Sequence, residues 1–194
     1  MFMNALQKYI NNDFGHSHHN WPQNQQYDTI PASVDKTVHY NATISGNFVQ
    51  SISKVVQVYN PYLYSHFLIK KAEYETRGHV VTRELYHDTG EDKVDSILTT
   101  NLDWRRVVRA KFGKGVSFSP DPAYANRQSS HSNGTNRAMI VADVLIGKKI
   151  DGNPCQKLPP DGFDTTCGNN NSVYVKYYDN EFYPKYVVYY QNRR

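Results

Sequence analysis

The chain has little of what would tie it to a membrane, a metal or an oxidising compartment. Its 194 residues include two cysteines, Cys155 and Cys167. Two thiols are too few to hold a zinc ion by themselves. They fit a reduced compartment, with a disulfide between them as the lesser alternative. No apolar run approaches the 18 or more residues of a membrane helix. The most apolar stretch is Met139–Ile146, so no membrane span is expected. Met1–Asp13 lacks the apolar stretch of a secretory signal, and an intracellular protein, nuclear or cytoplasmic, is expected. The sequons Asn41-Ala42-Thr43, Asn133-Gly134-Thr135 and Asn170-Asn171-Ser172 would then be idle. Charge is not one-sided, with 22 Lys and Arg against 18 Asp and Glu and a net +4. Such a balance gives no strong pointer to nucleic acid or to a lipid surface. There is no internal repeat, and the length suits one domain with a real core.

Tyrosine is abundant, with 16 copies. Together with Val and Ile it favours pleated surfaces, so the composition leans toward sheet. Residues 1–26 form a polar N-terminal extension, in which Asn4–Ile10 has the makings of a short helix. His16, His18 and His19 cluster there. Imidazoles are good ligands, but no Cys or carboxylate stands at ligand spacing, so a solvated loop is expected and no metal site. Residues 27–194 form the domain. Residues 37–44 read as a strand or a short helix. Ile52–Tyr59 alternates as a strand does. Asn60-Pro61 ends it and starts a helix that carries Tyr64, Phe67, Leu68 and Lys71 to about Thr76. Met139–Ile146 reads as a central strand. Asp151–Asn171, rich in Gly, Pro, Asp and Asn, reads as a long loop. Ser172–Tyr178 and Pro184–Tyr190 are strands about an Asp179-Asn180 turn.

The stretch Arg83–Asn126 organises the rest. Glu84–His87 is a short strand, broken by Asp88-Thr89-Gly90. Thr89-Gly90-Glu91-Asp92 has the form of a helix cap, and Val94, Ile97 and Leu98 give the helix an apolar face. Gly113-Lys114-Gly115 opens a second strand, Val116–Ser119. Asp121-Pro122 starts a second helix, with Pro at the first helical position where its missing N–H costs nothing.

Tyr86-His87-Asp88-Thr89 resembles the H-G-[ST] segment of the poly(ADP-ribose) polymerase catalytic domain. Phe112–Ser119, continuing through Pro122-Ala123-Tyr124-Ala125-Asn126, resembles that family's G-K-G-x-Y-F-A…A-S-Y-S segment. The similarity runs from about Tyr27 to Gln191 and is strongest to the mono-ADP-ribosylating branch with the dioxin-inducible and CCCH-zinc-finger members. The resemblance implies an α+β domain of the ADP-ribosyltransferase fold, with two antiparallel sheets in a split β-structure, peripheral helices and an NAD+ cleft. It implies NAD+ as co-substrate, a protein acceptor and release of nicotinamide. His87 takes the place of the family's ribose-binding His. Asp88 stands where a Gly backbone grips the nicotinamide carboxamide. Ser117 stands where a Tyr stacks on the nicotinamide, and Val173 stands at the third catalytic position, a Glu in chain-elongating members. Thr89, Gly115 and Phe118 belong to the same cofactor-binding segments. Ala125 falls on a Ser that bonds the nicotinamide amide, and Gln128 falls on a second stacking aromatic. Tyr124 is a substitute aromatic or a packing residue.

Two readings follow. The first is transfer of a single ADP-ribose from NAD+, since Val173 lacks the carboxylate that chain elongation uses. The second is a catalytically degenerate domain that binds a nucleotide or a protein, since Asp88, Ser117, Ala125 and Gln128 all depart from the pattern. Arg105, Arg106, Arg109, Lys111 and Lys114 form a basic loop that would meet a pyrophosphate, an acidic acceptor or only solvent. Nucleic acid is the weaker partner for it, because only Trp104 and Phe112 are aromatic there. A dinucleotide oxidoreductase is a poor fit, since Gly113-Lys114-Gly115 lacks the G-x-G-x-x-G spacing.

Overall fold

The computed structural model describes residues 26–130 and 134–193. The elements follow in chain order as β1 (Asp28–Pro31), α1 (Val34–Ile44), β2 (Val49–Tyr59), α2 (Pro61–Arg77), β3 (Val81–Gly90) and α3 (Val94–Thr100). Then come β4 (Val116–Phe118), α4 (Pro122–Gln128), β5 (Asn136–Ile146), β6 (Lys149–Asp151), β7 (Thr165–Gly168), β8 (Val173–Lys176) and β9 (Phe182–Asn192). The polar N-terminal extension, with its three histidines, lies outside the described residues apart from residue 26.

Side chains explain the helix starts. Ser33 accepts the Lys36 N–H and opens α1, which resolves residues 37–44 as helix. Asn60 Oδ1 accepts the Leu63 N–H at 2.9 Å, with Pro61 behind it, and opens α2. Asp121 does the same for α4 by accepting the Ala123 N–H at 2.9 Å. Each oxygen satisfies one of the backbone donors that a helix leaves free in its first turn.

Five strands make the larger sheet in the order β1-β2-β9-β5-β3, every pair antiparallel. Because strand side chains alternate, this sheet has two covered faces. One face presents Val56, Val58, Leu85, Ile140 and Val187 to Val116, Phe118 and Tyr174 of the smaller sheet and to Val94, Ile97 and Leu98 at α3. The other presents Val55, Tyr86, Met139, Val141 and Val188 to Tyr40 and Ile44 of α1. Leu63, Tyr64 and Phe67 of α2 pack on Leu145 and Tyr183. The smaller sheet has the order β4-β8-β7-β6.

Three expectations need correction. β3 does not stop at His87. It runs on through Asp88-Thr89-Gly90, paired with Met139, Ala138 and Arg137 of β5, and this long ladder overrides the local turn signal. Thr89 therefore caps nothing. It is buried, and the 3-10 turn at Glu91–Lys93 begins without a side-chain cap. The smaller sheet is not purely antiparallel, because β6 and β7 run parallel. Finally, β7 lies inside the stretch that reads as loop. Its Thr165 and Thr166 are buried, and Asn169, Asn170 and Asn171 turn the chain into β8 with φ of 49, 53 and 64°. Asn tolerates that left-handed region better than other side chains do.

Candidate active site

Besides their packed faces, the two sheets are joined by a backbone bridge on β3. The Tyr86 N–H donates to the Ser119 carbonyl at 2.8 Å, and the Ser119 N–H donates to the Tyr86 carbonyl at 2.9 Å. Past this bridge β3 and β4 diverge and leave an open cleft. β3 contributes His87 and Asp88 to its lining, β4 contributes Ser117 and Phe118, and α4 contributes Tyr124, Ala125 and Gln128. Val173 comes from β8. Eight of the ten residues singled out from sequence thus share one cleft. Thr89 and Gly115 are not in its lining. Gly115 serves strand packing, since a Cβ there would stand 2.2 Å from the Lys176 carbonyl oxygen.

His87 spans the mouth of the split. Its Nδ1 lies 2.9 Å from the Ser117 carbonyl oxygen. A carbonyl only accepts, so this bond places the proton on Nδ1 and leaves Nε2 of the neutral ring as an acceptor. Burial pushes the His87 pKa down, against the raising effect of the Ser117 bond, so the neutral ring is favoured. Phe118, almost fully buried, packs at 5.9 Å from the His87 ring and backs it from the core.

Asp88 turns its carboxylate away from the cleft. Its side chain is 0% exposed. It accepts from Arg137 Nη2 and Nε, the latter at 3.1 Å, and from the Tyr190 hydroxyl. The peptide points the other way. In an antiparallel ladder, alternate residues direct both N–H and C=O to the same side. Tyr86 directs its pair outward to Ser119, so Asp88, two residues on, also directs its pair to the open edge. The Asp88 carbonyl accepts from Ser129 Oγ at 3.0 Å, and its N–H faces the cleft.

The remaining wall is mixed. Ser117 is exposed on β4, and its hydroxyl leaves the space beside His87 without an aromatic ring. Tyr124 supplies an aromatic from α4. It is half-buried against the Val173, Val175 and Tyr177 cluster, and its hydroxyl accepts from Asn169 Nδ2 at 2.7 Å. Val173 is 5% exposed and presents no polar atom. Ala125 packs on the Tyr86 and Tyr190 cluster, and Gln128 is exposed. In the basic loop, Arg105 is bound to Asp179 at 2.7 Å and Asp103 at 3.1 Å, which ties the loop to the β8–β9 turn. Arg106, Arg109, Lys111 and Lys114 are exposed.

Sequence reasoning missed Arg137, Tyr190, Asn126 and Ser129, which support Asp88. One signal was present: a charged residue leading the most apolar strand needs a buried partner.

Residues 25–161 match the family described as the poly(ADP-ribose) polymerase catalytic domain. The chain belongs to this family. Among its relatives are the Homo sapiens protein mono-ADP-ribosyltransferase PARP12 and the Mus musculus protein mono-ADP-ribosyltransferase PARP11. The first is 31% identical over 165 residues, covering 78% of this chain and 23% of that protein. The second is 28% identical over 199 residues, covering 86% of this chain and 57% of that protein. The chain therefore spans under a quarter of one relative and just over half of the other. The PARP match includes β3, β4, α4 and β5 and ends before β7. Val173 thus reaches the PARP cleft through the pairing of β8 with β4, Ser117 opposite Val175. Among the described residues no group of His, Cys, Asp and Glu is placed to hold a metal ion, and no helix is long and apolar enough to cross a membrane.

Proposed function

We propose that this cleft takes NAD+ and that the chain transfers one ADP-ribose unit to a protein acceptor, releasing nicotinamide. The observation that carries this reading is the Asp88 N–H, directed to the cleft next to the His87 ring. The carboxylate at position 88 is spent on Arg137 and Tyr190, so it does not obstruct the peptide. The Asp88 N–H donates to the nicotinamide amide oxygen, and its carbonyl keeps a second lone pair for the amide N–H. His87 Nε2 accepts a ribose hydroxyl.

The reaction asks for little covalent machinery from the protein. The bond between the ribose anomeric carbon and the pyridinium nitrogen breaks, and its electron pair leaves with nicotinamide as a neutral molecule. The acceptor nucleophile forms the new bond to that carbon. The protein's part is orientation and electrostatic placement, which together are worth many kcal/mol in well-ordered sites. Val173 offers no acceptor for a ribose hydroxyl, which favours single units over chains. An intracellular setting, nuclear or cytoplasmic, fits this reading.

The second reading is a cleft that binds the nucleotide without turning it over. The lack of a ring at Ser117 favours it. Adenylate-labelled NAD+ incubated with the purified protein and a cell extract separates the two. Label on protein as single units, absent with His87→Ala, is the expected result. A raised melting temperature with NAD+ but no label would support the binding module. Neither label nor thermal shift would sink both.

A further inference from the structure

Arg137 is 1% exposed, and each nitrogen of its guanidinium is hydrogen-bonded. It donates from Nε and Nη2 to Asp88, from Nη2 to Ser129 Oγ and from Nη1 to the Ser130 carbonyl at 2.9 Å. Ser129 Oγ donates in turn to the Asp88 carbonyl at 3.0 Å. Asp88, Arg137 and Tyr190 lie on neighbouring strands β3, β5 and β9. Arg137 is paired with Tyr190 and set diagonally to Asp88, a spacing within reach of long side chains. Tyr190 accepts from Asn126 of α4 at 2.8 Å. The network therefore runs from three strands of the sheet, through Ser129, Ser130 and Asn126, to the C-terminal end of α4. The two ends so joined are the cleft's two walls: the Asp88 peptide on one side and Tyr124, Ala125 and Gln128 on the other.

We propose that Arg137 is a positioning residue of the NAD+ cleft, setting the separation between the Asp88 peptide and α4 through Asp88 and Ser129. The inference rests on the NAD+ reading above. A bare ion pair would be satisfied by any buried cation, whereas the planar guanidinium fork meets three acceptors in fixed directions. Its geometry, more than its charge, matters to the cleft.

The test uses Arg137→Lys, Arg137→Met and the double variant Asp88→Asn/Arg137→Met. The double variant removes both buried charges and keeps an acceptor for the Tyr190 hydroxyl. Three quantities are read: melting temperature, KM for NAD+, and amide hydrogen exchange at residues 86–90 and 123–130. Arg137→Met is expected to lower the melting temperature and to raise KM about tenfold or more, as a displaced binding wall does. In the double variant the melting temperature recovers while KM stays high. Arg137→Lys is expected to raise KM and to speed exchange in both segments. A KM that returns to the parent value together with the melting temperature would show Arg137 to be structural only. Parental KM and exchange in Arg137→Lys would overturn the proposal as well. If the parent neither binds nor consumes NAD+ while Arg137→Lys still loosens both segments, the NAD+ reading fails and the clamp stands.

Discussion

Replacing Ser117 with Tyr is the sharpest probe of where nicotinamide lies. Ser117 is exposed between buried Val116 and Phe118, so its side chain points into the cleft beside His87. The bond that orders His87 comes from the Ser117 carbonyl at 2.9 Å, and a side-chain change leaves it in place. Position 117 sits on a strand, where Tyr is favoured over Ser, and its side chain is exposed to the open cleft, so a ring meets no packed wall there. A ring stacked on another aromatic is worth about 0.5–1.5 kcal/mol beyond area burial. At about 1.4 kcal/mol per tenfold, that is roughly a two- to twelve-fold gain in affinity. Ser117→Tyr should therefore lower KM for NAD+ by about two- to twelve-fold, measured from initial rates across NAD+ concentration, with the melting temperature unchanged. An unchanged or raised KM in a variant that melts with the parent would mean that the nicotinamide plane does not lie over β4. The placement of NAD+ against the Asp88 peptide would fall with it.

Other perturbations test the frame and the titration of the site. Lys176 is fully buried, with Nζ 3.0 Å from Asp164 Oδ1 and 3.4 Å from Glu181 Oε1. Lys176→Met leaves the buried Glu181 carboxylate without its cation, still held by the Tyr74 hydroxyl and the Tyr177 and Tyr178 N–H groups, which should cost about 3–5 kcal/mol and lower the melting temperature by roughly 6–20 °C in calorimetry. Burial already pushes the Glu181 pKa up, and Lys176 restrains it. Without the lysine, the native state of the variant takes up a proton more readily than the unfolded chain does, so the deficit should shrink as pH falls toward the ordinary glutamate value of about 4.3. Gly115→Ala forces a methyl against the Lys176 carbonyl and should cost about 1–3 kcal/mol in denaturant titrations, with loss of NAD+ binding as β4 shifts. His87 works as the neutral ring, and burial lowers its pKa. NAD+ affinity by calorimetric titration should stay flat from about pH 8 down to the ordinary histidine value near 6.5 and fall only below it. Over the same acid range the unfolded chain takes the proton first, so stability also declines. An acid limb in binding that begins above about 6.5 would contradict a neutral His87.

Much of the frame was legible because it is written locally. The alternation over Ile52–Tyr59 and Ser172–Tyr178 marks β2 and β8, and the caps at Asn60-Pro61 and Asp121-Pro122 mark α2 and α4, with their oxygens where the sequence places them. Of the ten residues that the motif order picked out, the split brings eight together. Local signals failed where a long-range partner outbid them. Thr89-Gly90-Glu91-Asp92 has a cap's form, yet ten residues of β3 pair with β5, and the ladder prevails. Thr165 and Thr166 sit among turn-formers, yet pairing with β8 and β6 makes them strand.

The same division holds for the site. Residue type and spacing mark most of the strands and helices, a His on one strand and an apolar Val173 on another, and the resemblance they carry implies that Val173 stands where chain-elongating members have a carboxylate. They do not settle the meaning of Asp88. Read along the chain, a carboxylate in a glycine's place adds bulk and charge to a nicotinamide pocket. In the folded chain its partners stand 49 and 102 residues away, at Arg137 and Tyr190. Strand alternation sends the carboxylate to them and the peptide to the cleft. Which face a side chain takes depends on the register of three strands, and register is set by pairing across the sheet rather than by neighbours in sequence.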